Sequence, residues 1–150
     1  MAFTDIDDMK RAIGVALPPS DWFVVEQRDV DTFADLSGDH QWIHVDPQRS
    51  EQGPYGTTIA HGLLTLSVLP RLIGQLRNVE KARMGLNCGY DRVRFTAPVP
   101  VGSRIRAHAQ IREVRDMPDD AARVVTHITV ELEGSDKPVC VADHVTRVYA

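Results

Sequence analysis

The sequence predicts an α+β fold, in which an antiparallel β-sheet packs around one long buried helix. Two segments of the second half, 105–111 and 126–133, alternate apolar and polar residues, which is typical of strands with one buried face. Short polar turns at 116–120 and 134–138 join the predicted strands, and such short connections indicate antiparallel neighbours. The helix is predicted from the mainly apolar run at 59–76, which contains no Lys, Arg, Asp or Glu before Arg71.

The overall composition is that of a globular domain. The chain has 150 residues, of which 43% are apolar and 25% charged, and its formal net charge is −4. We therefore expect one domain over 1–150, with 1–20 as an N-terminal arm. The acidic excess argues against nucleic-acid binding, and the apolar run is too short and polar for a membrane span. The N-terminal segment does not resemble a secretory signal, and Cys88 and Cys140 match no zinc or redox spacing, so we expect a cytoplasmic protein.

The first half of the chain is predicted to pass from an arm through a short strand into a helix. Residues 1–17 are expected to form a short polar helix or a loose arm, which ends at Pro18. The segment 22–25 is β-prone. A helix is expected to begin at Asp29, which can serve as its N-cap, and to end at Gly38, where a left-handed residue would terminate it.

The middle of the chain is predicted to be a long loop followed by the buried helix. Residues 39–58 show no sustained period, and long loops inside compact domains often carry function. The helix is expected to be capped by Thr57 or Thr58, to run to about Leu76, to be wholly buried, and to kink at Pro70. The predicted strands of the second half then cover 93–99, 104–112, 126–133 and 139–149.

The loop carries the residues that can do chemistry. Three of the six histidines, His40, His44 and His61, fall within it or just after it. Asp39 and His44 are five residues apart, and on an irregular loop their side chains can converge as an acid–base pair. The alternative is that Asp39 only hydrogen-bonds the backbone of the turn after Gly38.

Two further interpretations concern a carbonyl ligand and a metal ion. Gly62 lies near the predicted helix start, where its backbone N–H could bind a developing oxyanion; the alternative is that it only permits tight packing. His40, His44 and His61, with Asp39 or Asp46, could together ligate a metal, although Gly38 and Pro47 disfavour the helix that such a site needs, and we expect none. Several basic residues could bind an anionic substrate or simply be solvated: Arg71, Arg77, Lys81, Arg83, Arg92 and Arg94.

Five short motifs occur in a recognisable order: Ser37-Gly38-Asp39, Ile43-His44-Val45-Asp46, Ile59-Ala60-His61-Gly62, the segment from Val93 to Val99, and Val101-Gly102-Ser103. Together they resemble the signature of MaoC-like dehydratases, the R-specific enoyl-CoA hydratases, over roughly residues 20–148. The resemblance implies the hotdog fold, an antiparallel sheet wrapped around a central helix, which agrees with the pattern above. Single-domain bacterial members, including those similar to nodulation protein N, are typically dimers.

The resemblance also implies roles for individual residues. Asp39 and His44 match the catalytic pair that activates water, and Gly62 matches the glycine whose N–H binds the thioester oxygen. The implied reaction is the reversible hydration of a trans-2-enoyl-CoA to the R-3-hydroxyacyl-CoA. No cofactor is expected beyond coenzyme A, which is part of the acyl-CoA substrate, and a homodimer is expected in which a second copy supplies part of the pocket. We expect contacts to the substrate from His61, Trp42, Arg94 and Phe95.

Two departures from the family pattern affect the surroundings of the catalytic pair. Gln41-Trp42 stands where the family usually has Asn-Pro, and Pro70 stands where many members have a serine that hydrogen-bonds the catalytic aspartate. Thr65 or Ser67 could replace that serine. The alternatives to a hydratase are a hotdog acyl-CoA thioesterase and a non-catalytic module that binds acyl thioesters.

Overall fold

A computed structural model describes residues 2–74 and 76–150. The first half contains mainly short helices: after strand β1 (Ala2–Phe3) come α1 (Ile6–Arg11), strand β2 (Phe23–Val24), α2 (Gln27–Ser37), α3 (Trp42–Val45), α4 (Pro47–Glu51), α5 (Gly62–Ser67) and α6 (Leu69–Gly74). The second half consists of strands: β3 (Asn78–Val79), β4 (Met84–Phe95), β5 (Arg104–Met117), β6 (Ala121–Leu132) and β7 (Cys140–Tyr149).

The main sheet has five antiparallel strands in the order β2-β5-β6-β7-β4. It curls around the helices and confirms the predicted α+β hotdog fold. On β5, β6 and β7 buried and partly buried residues alternate, so the period of two places one face on the core. The turns predicted at 116–120 and 134–138 connect β5 to β6 and β6 to β7. The sheet therefore presents one buried face to α5 and α6.

The predicted central helix is shorter than expected and is broken in two. It begins at Gly62 and is not capped by Thr57 or Thr58, because Ala60 donates its N–H to the Val99 carbonyl and is held extended. It breaks at Val68 between α5 and α6, since Pro70 has no N–H to donate to the carbonyl four residues earlier. The expectation of a wholly buried helix is wrong, because one face remains open and leaves Leu63 58% exposed.

The helix predicted from Asp29 begins two residues earlier than expected. Glu26 is its N-cap, and Asp29 is the third residue of the helix. The side chain of each accepts the backbone N–H of the other, which forms a capping box. Gly38 ends the helix with φ at 78°, which confirms the predicted left-handed cap. The loop at 39–58 is less irregular than expected, since it contains the short helices α3 and α4.

The N-terminal arm is packed and not loose. Phe3, Met9 and Leu17 are buried in the main core, and β1 pairs in parallel with β3. The arm packs because its few apolar side chains leave water when they dock on the core, which is favourable. Across the described residues, we find no helix with the length and apolar character that crossing a bilayer requires.

Candidate active site

Both the ring and the backbone of His44 are held by hydrogen bonds to residues outside its short helix. It is 7% exposed, and its Nδ1 lies 2.7 Å from the carbonyl oxygen of Ile59. Because a carbonyl only accepts, Nδ1 carries the hydrogen, and in the neutral ring Nε2 is left as a proton acceptor. The His44 carbonyl accepts a further bond from the Gln27 side chain, which ties α3 to α2. The ring is therefore held in one orientation and one tautomer.

His61 packs on His44 and holds the backbone of Asp39. The two imidazole rings stack with centroids 3.8 Å apart, and His61 donates from Nε2 to the Asp39 carbonyl at 2.9 Å. Its other nitrogen, Nδ1, is therefore an acceptor. That atom is buried and has no hydrogen-bond partner within the described part of the chain. His61 thus connects the loop to the N-cap of α5 and offers one free lone pair.

The predicted convergence of Asp39 and His44 is present. One ligand atom from each of Asp39, His44 and His61 lies within 4.8 Å of the other two. The Asp39 carboxylate is exposed and accepts the Gln41 N–H at 3.3 Å. The carboxylate therefore stabilises its turn, as the alternative interpretation has it, and also lies near an imidazole, so its role in an acid–base pair stays a prediction. A bound of 4.8 Å is compatible with one water molecule hydrogen-bonded to two of the three groups.

A pocket of about 380 Å³ lies beside this cluster. His44 and Gly62 line it, together with apolar residues of the segment 95–99. The structure also places Tyr55 and Thr65 in the wall, which sequence reasoning did not select as substrate contacts because neither belongs to a catalytic pattern. Its mixed lining suits an apolar ligand with a few polar atoms.

Gly62 packs closely against Phe95 and leaves its backbone N–H free among the described residues. A Cβ built at this position would lie 2.6 Å from the Phe95 ring, so only glycine permits the observed packing. Within residues 2–74 and 76–150, its N–H donates to no acceptor, as expected for the first residue of a helix. Gly62 therefore offers a free donor at the pocket wall.

The remaining predicted contacts are only partly brought together. Phe95 lines the pocket, but Trp42 and Arg94 are not part of its wall. The Trp42 indole lies under the Arg49 guanidinium at 4.4 Å, and the Arg94 guanidinium donates to the carbonyl of Val93. The geometry gives no support to Trp42 or Arg94 as contacts within this pocket.

The structure also tests what could replace the missing serine. Ser67 donates to the Leu63 carbonyl at 2.7 Å and is exposed, so it does not take that role. Thr65 lines the pocket and is buried. The hydroxyl that contacts the Asp39 segment is that of Ser37, which accepts the Asp39 N–H at 3.3 Å.

The residues that could ligate a metal differ from the set predicted from the sequence. His40 is exposed and bonded to Asp35, and Asp46 caps α4, so neither joins the cluster. Asp39, His44 and His61 remain as a possible donor set for a metal ion. A metal must lie near the plane of each imidazole that ligates it, and two rings stacked 25° from parallel do not share such a point close to both. The stacking therefore favours a water molecule over a metal ion here.

Comparison with known proteins adds a family to this geometry. The model of the MaoC-like domain matches residues 8–132 of the chain. The chain is 47% identical over 148 residues to 3-hydroxyacyl-thioester dehydratase Z of Mycobacterium tuberculosis (strain ATCC 25618 / H37Rv), covering 99% of this chain and 98% of the relative. It is 40% identical over 141 residues to nodulation protein N of Rhizobium leguminosarum bv. viciae, covering 93% and 88%.

Similarity of structure extends over nearly the whole chain. The R-hydratase PhaJ1 from Pseudomonas aeruginosa, in its unliganded form, superposes with a TM-score of 0.74 at 20% identity. The match covers 98% of this chain and 86% of the other. At that identity the likeness shows the shared fold.

Proposed function

Because the chain belongs to the MaoC-like domain family, we propose that it catalyses the reversible hydration of trans-2-enoyl-CoA to R-3-hydroxyacyl-CoA. The observation that carries the proposal is the approach of the Asp39 carboxylate to the His44 ring within 4.8 Å, beside a pocket that Gly62 lines. The name of the mycobacterial relative, a 3-hydroxyacyl-thioester dehydratase, describes the reverse of the same reaction.

In the proposed mechanism, Asp39 and His44 hold and activate the attacking water. Nδ1 of His44 is committed to the Ile59 carbonyl, so Nε2 faces the water as a proton acceptor. The unpaired Nδ1 of His61 supplies a further acceptor that orients the water. The water oxygen bonds to C3 of the enoyl group as the pair takes its proton, and the pair returns a proton to C2.

Negative charge that develops on the thioester oxygen is stabilised by the N–H of Gly62. That donor has no competing partner within the described residues, so it is available without rearrangement. A single positioned donor of this kind typically lowers a barrier by about 3–4 kcal/mol. Since α5 has only six residues, we assign this effect to the N–H itself and not to a helix dipole.

The remaining contacts are assigned from the chemistry of the acyl and coenzyme A parts of the substrate. Phe95 packs against the acyl part near Gly62. Arg94 is exposed on the same strand and could meet the phosphates of coenzyme A outside the pocket, while Trp42 remains a predicted contact without a place in the wall. The reaction needs no cofactor beyond the coenzyme A of the substrate. The cytoplasmic location also remains a prediction.

The proposal includes a homodimer. Strand β4 is at the edge of the sheet, and no described strand pairs with its outer side. Exposed apolar side chains occur along and near it, namely Leu63, Met84, Leu86 and Phe95. A second copy paired along β4 would cover the open edge and these side chains. Sedimentation velocity should show a dimer, and a monomer at micromolar concentration would contradict this part.

A hydration assay with crotonyl-CoA and longer enoyl-CoAs tests the function. We expect loss of the absorbance of the conjugated thioester and formation of the R-3-hydroxyacyl product, identified by chiral analysis. Release of free thiol without hydration would replace the hydratase with the thioesterase. Binding of the enoyl-CoA without either product would indicate the non-catalytic module.

A further inference from the structure

A second cavity lies at the far end of the broken helix, away from the residues of the catalytic pair. It has a volume of about 340 Å³ and lies between α6 and strands β4 and β7. Much of its wall is apolar and comes from Met9, Ile73 and Val148, and from Met84 and Leu86 of β4, which the partner in the proposed dimer would also cover. Its volume is within the range of small-molecule sites, so the cavity can hold more than solvent.

One guanidinium supplies the charge in this cavity. Arg77 is partly buried and lines the wall, and burial lowers its pKa to about 10, so it stays protonated at neutral pH. It donates to the Thr126 and Thr146 hydroxyls, at 3.1 and 2.9 Å, and to Nδ1 of His144 at 3.1 Å. No carboxylate forms an ion pair with it in the part of the chain that the structure describes. Arg77 is therefore not one of the solvated charges that the sequence indicated.

The neighbours of Arg77 leave the charge uncompensated. Because arginine only donates, Nδ1 of His144 is an acceptor, and Nε2 carries the hydrogen that is donated to Asn87 at 2.9 Å. Burial, and next the charge of Arg77, lower the pKa of His144 to about 4, so the ring is neutral. The Thr146 hydroxyl accepts from Arg77 and can donate its own hydrogen into the cavity. Among the polar lining residues, which include Asn78 and Asn87, the charged group is thus the Arg77 guanidinium, with the Thr146 hydroxyl as a donor beside it.

We propose that this cavity binds a carboxylate carried on an apolar body, with the carboxylate paired to Arg77 and Thr146. A partly buried cation without a counter-ion is costly, and an anion that neutralises it recovers that cost. One guanidinium and one hydroxyl match the single charge and two oxygens of a carboxylate. The apolar walls require that the rest of the ligand be hydrocarbon.

Two sources could supply such a carboxylate: the far end of an acyl chain bound at the catalytic pair, or a free carboxylic acid. Gly62 begins α5 and Gly74 ends α6, and at about 1.5 Å of rise per residue the two broken helices keep them at most about 18 Å apart. A crotonyl group is too short to span this distance, whereas a long acyl chain is not. The assignment to an acyl chain rests on the proposed function, but the binding of a carboxylate does not.

The first experiment measures binding without catalysis. Hexanoate and hexan-1-ol are titrated into the protein by calorimetry, and we expect hexanoate to bind at least about tenfold more tightly. The Arg77→Gln variant should lose about tenfold or more of that affinity, whereas Arg112→Gln, which removes the same charge at an exposed position of β5, should keep it. In the wild-type protein the Arg77 Nε–H resonance should shift with hexanoate and not with the alcohol, which is a test that needs no variant to fold.

Equal affinity for acid and alcohol, or equal hexanoate binding by Arg77→Gln, would overturn the proposal and leave Arg77 as a cross-link between β6 and β7.

The second experiment compares hydration of enoyl-CoAs of increasing length that end in methyl or in carboxylate. An advantage of the carboxylate that appears with length and disappears in Arg77→Gln assigns the carboxylate to the acyl chain. An unchanged ratio, with hexanoate binding intact, assigns it to a free acid. If no thioester is hydrated at all, the proposed function fails while the hexanoate result stands.

Discussion

The two cavities at the ends of the broken helix differ in which polar atoms they leave free. Beside the first cavity, the proposed catalytic pair and the neighbouring His61 leave acceptors free: Nε2 of His44, Nδ1 of His61 and the carboxylate of Asp39. In the cavity of Arg77, both nitrogens of His144 are used and the charged group of the wall is a guanidinium. A histidine is central to each, but its hydrogen-bond partners decide whether it can exchange a proton. The two proposed roles follow this difference, with proton transfer beside the first cavity and anion binding in the second.

The largest expected effect follows from removing proton exchange at the first cavity. We expect Asp39→Asn and His44→Ala each to lower kcat for crotonyl-CoA hydration by about 10²- to 10⁴-fold, the usual contribution of a general acid–base group. Circular dichroism should show that both variants keep the fold. Turnover near the wild-type rate in either variant would mean that the pair is not catalytic.

A matched control lies four residues earlier in the same segment. Asp35 and His40 have the same spacing of five, and His40 Nε2 lies 2.8 Å from the Asp35 carboxylate, but both are exposed. Asp35→Asn and His40→Ala should therefore keep wild-type activity. A comparable loss in these variants would show that the effect comes from the loop and not from the chemistry of Asp39 and His44.

The next effect concerns the close approach of Gly62 and Phe95. Gly62→Ala would place a methyl group 2.6 Å from the ring, and we expect the free energy of unfolding to fall by about 1–3 kcal/mol, with Phe95 displaced into the pocket. Gly74→Ala is the stability control, because its Cβ would meet nothing within 4 Å. If Gly62→Ala had the Tm of the wild type, the packing role of this glycine would be disproved.

The next expected effect is a loss of protein stability at acidic pH that arises from His144 in the second cavity, and it should be smaller. The unfolded His144 binds a proton near pH 6.5, but the folded ring, with its pKa lowered to about 4, does not. The unfolded state thus binds more protons between these values, so stability is lost as the pH falls from about 6.5 towards 4, by about 2 kcal/mol after allowing for solvent screening.

His144→Gln should flatten this part of the stability curve, measured by urea unfolding at several pH values. His40→Gln is the control. The His40 pKa is raised, chiefly by its hydrogen bond to Asp35. Protonation of His40 therefore stabilises the folded state, and replacing His40 should not reduce the loss of stability at acidic pH. An unchanged slope in His144→Gln would show that other groups cause the sensitivity.

The smallest expected effect is that of a chelator. Since the stacked rings of His44 and His61 favour water over a metal ion, dialysis against EDTA should leave the hydration rate unchanged. A loss of activity that zinc or another divalent ion restores would instead make Asp39, His44 and His61 a metal centre.

The sequence predicted the features that depend on local pattern. The alternation on β5 and β6 and the left-handed Gly38 were evident from neighbouring residues, as was the possible meeting of Asp39 and His44. It did not predict the burial of Arg77. That residue follows a helix in a basic stretch, and its partners on β6 and β7 are 49 to 69 residues away in the chain. Only the pairing of β6 with β7 in the folded sheet brings those hydroxyls together.

The break at Val68 has a consequence for the order of folding. Helices as short as α5 and α6, six residues each, cannot pass the nucleation barrier alone in water. The long β5–β6 hairpin, by contrast, closes through a short turn and can form early. We expect both helices to condense late onto the preformed sheet, with low φ-values at Leu64 and Ile73. Both cavities would then be among the last parts of the molecule to form and the first to open.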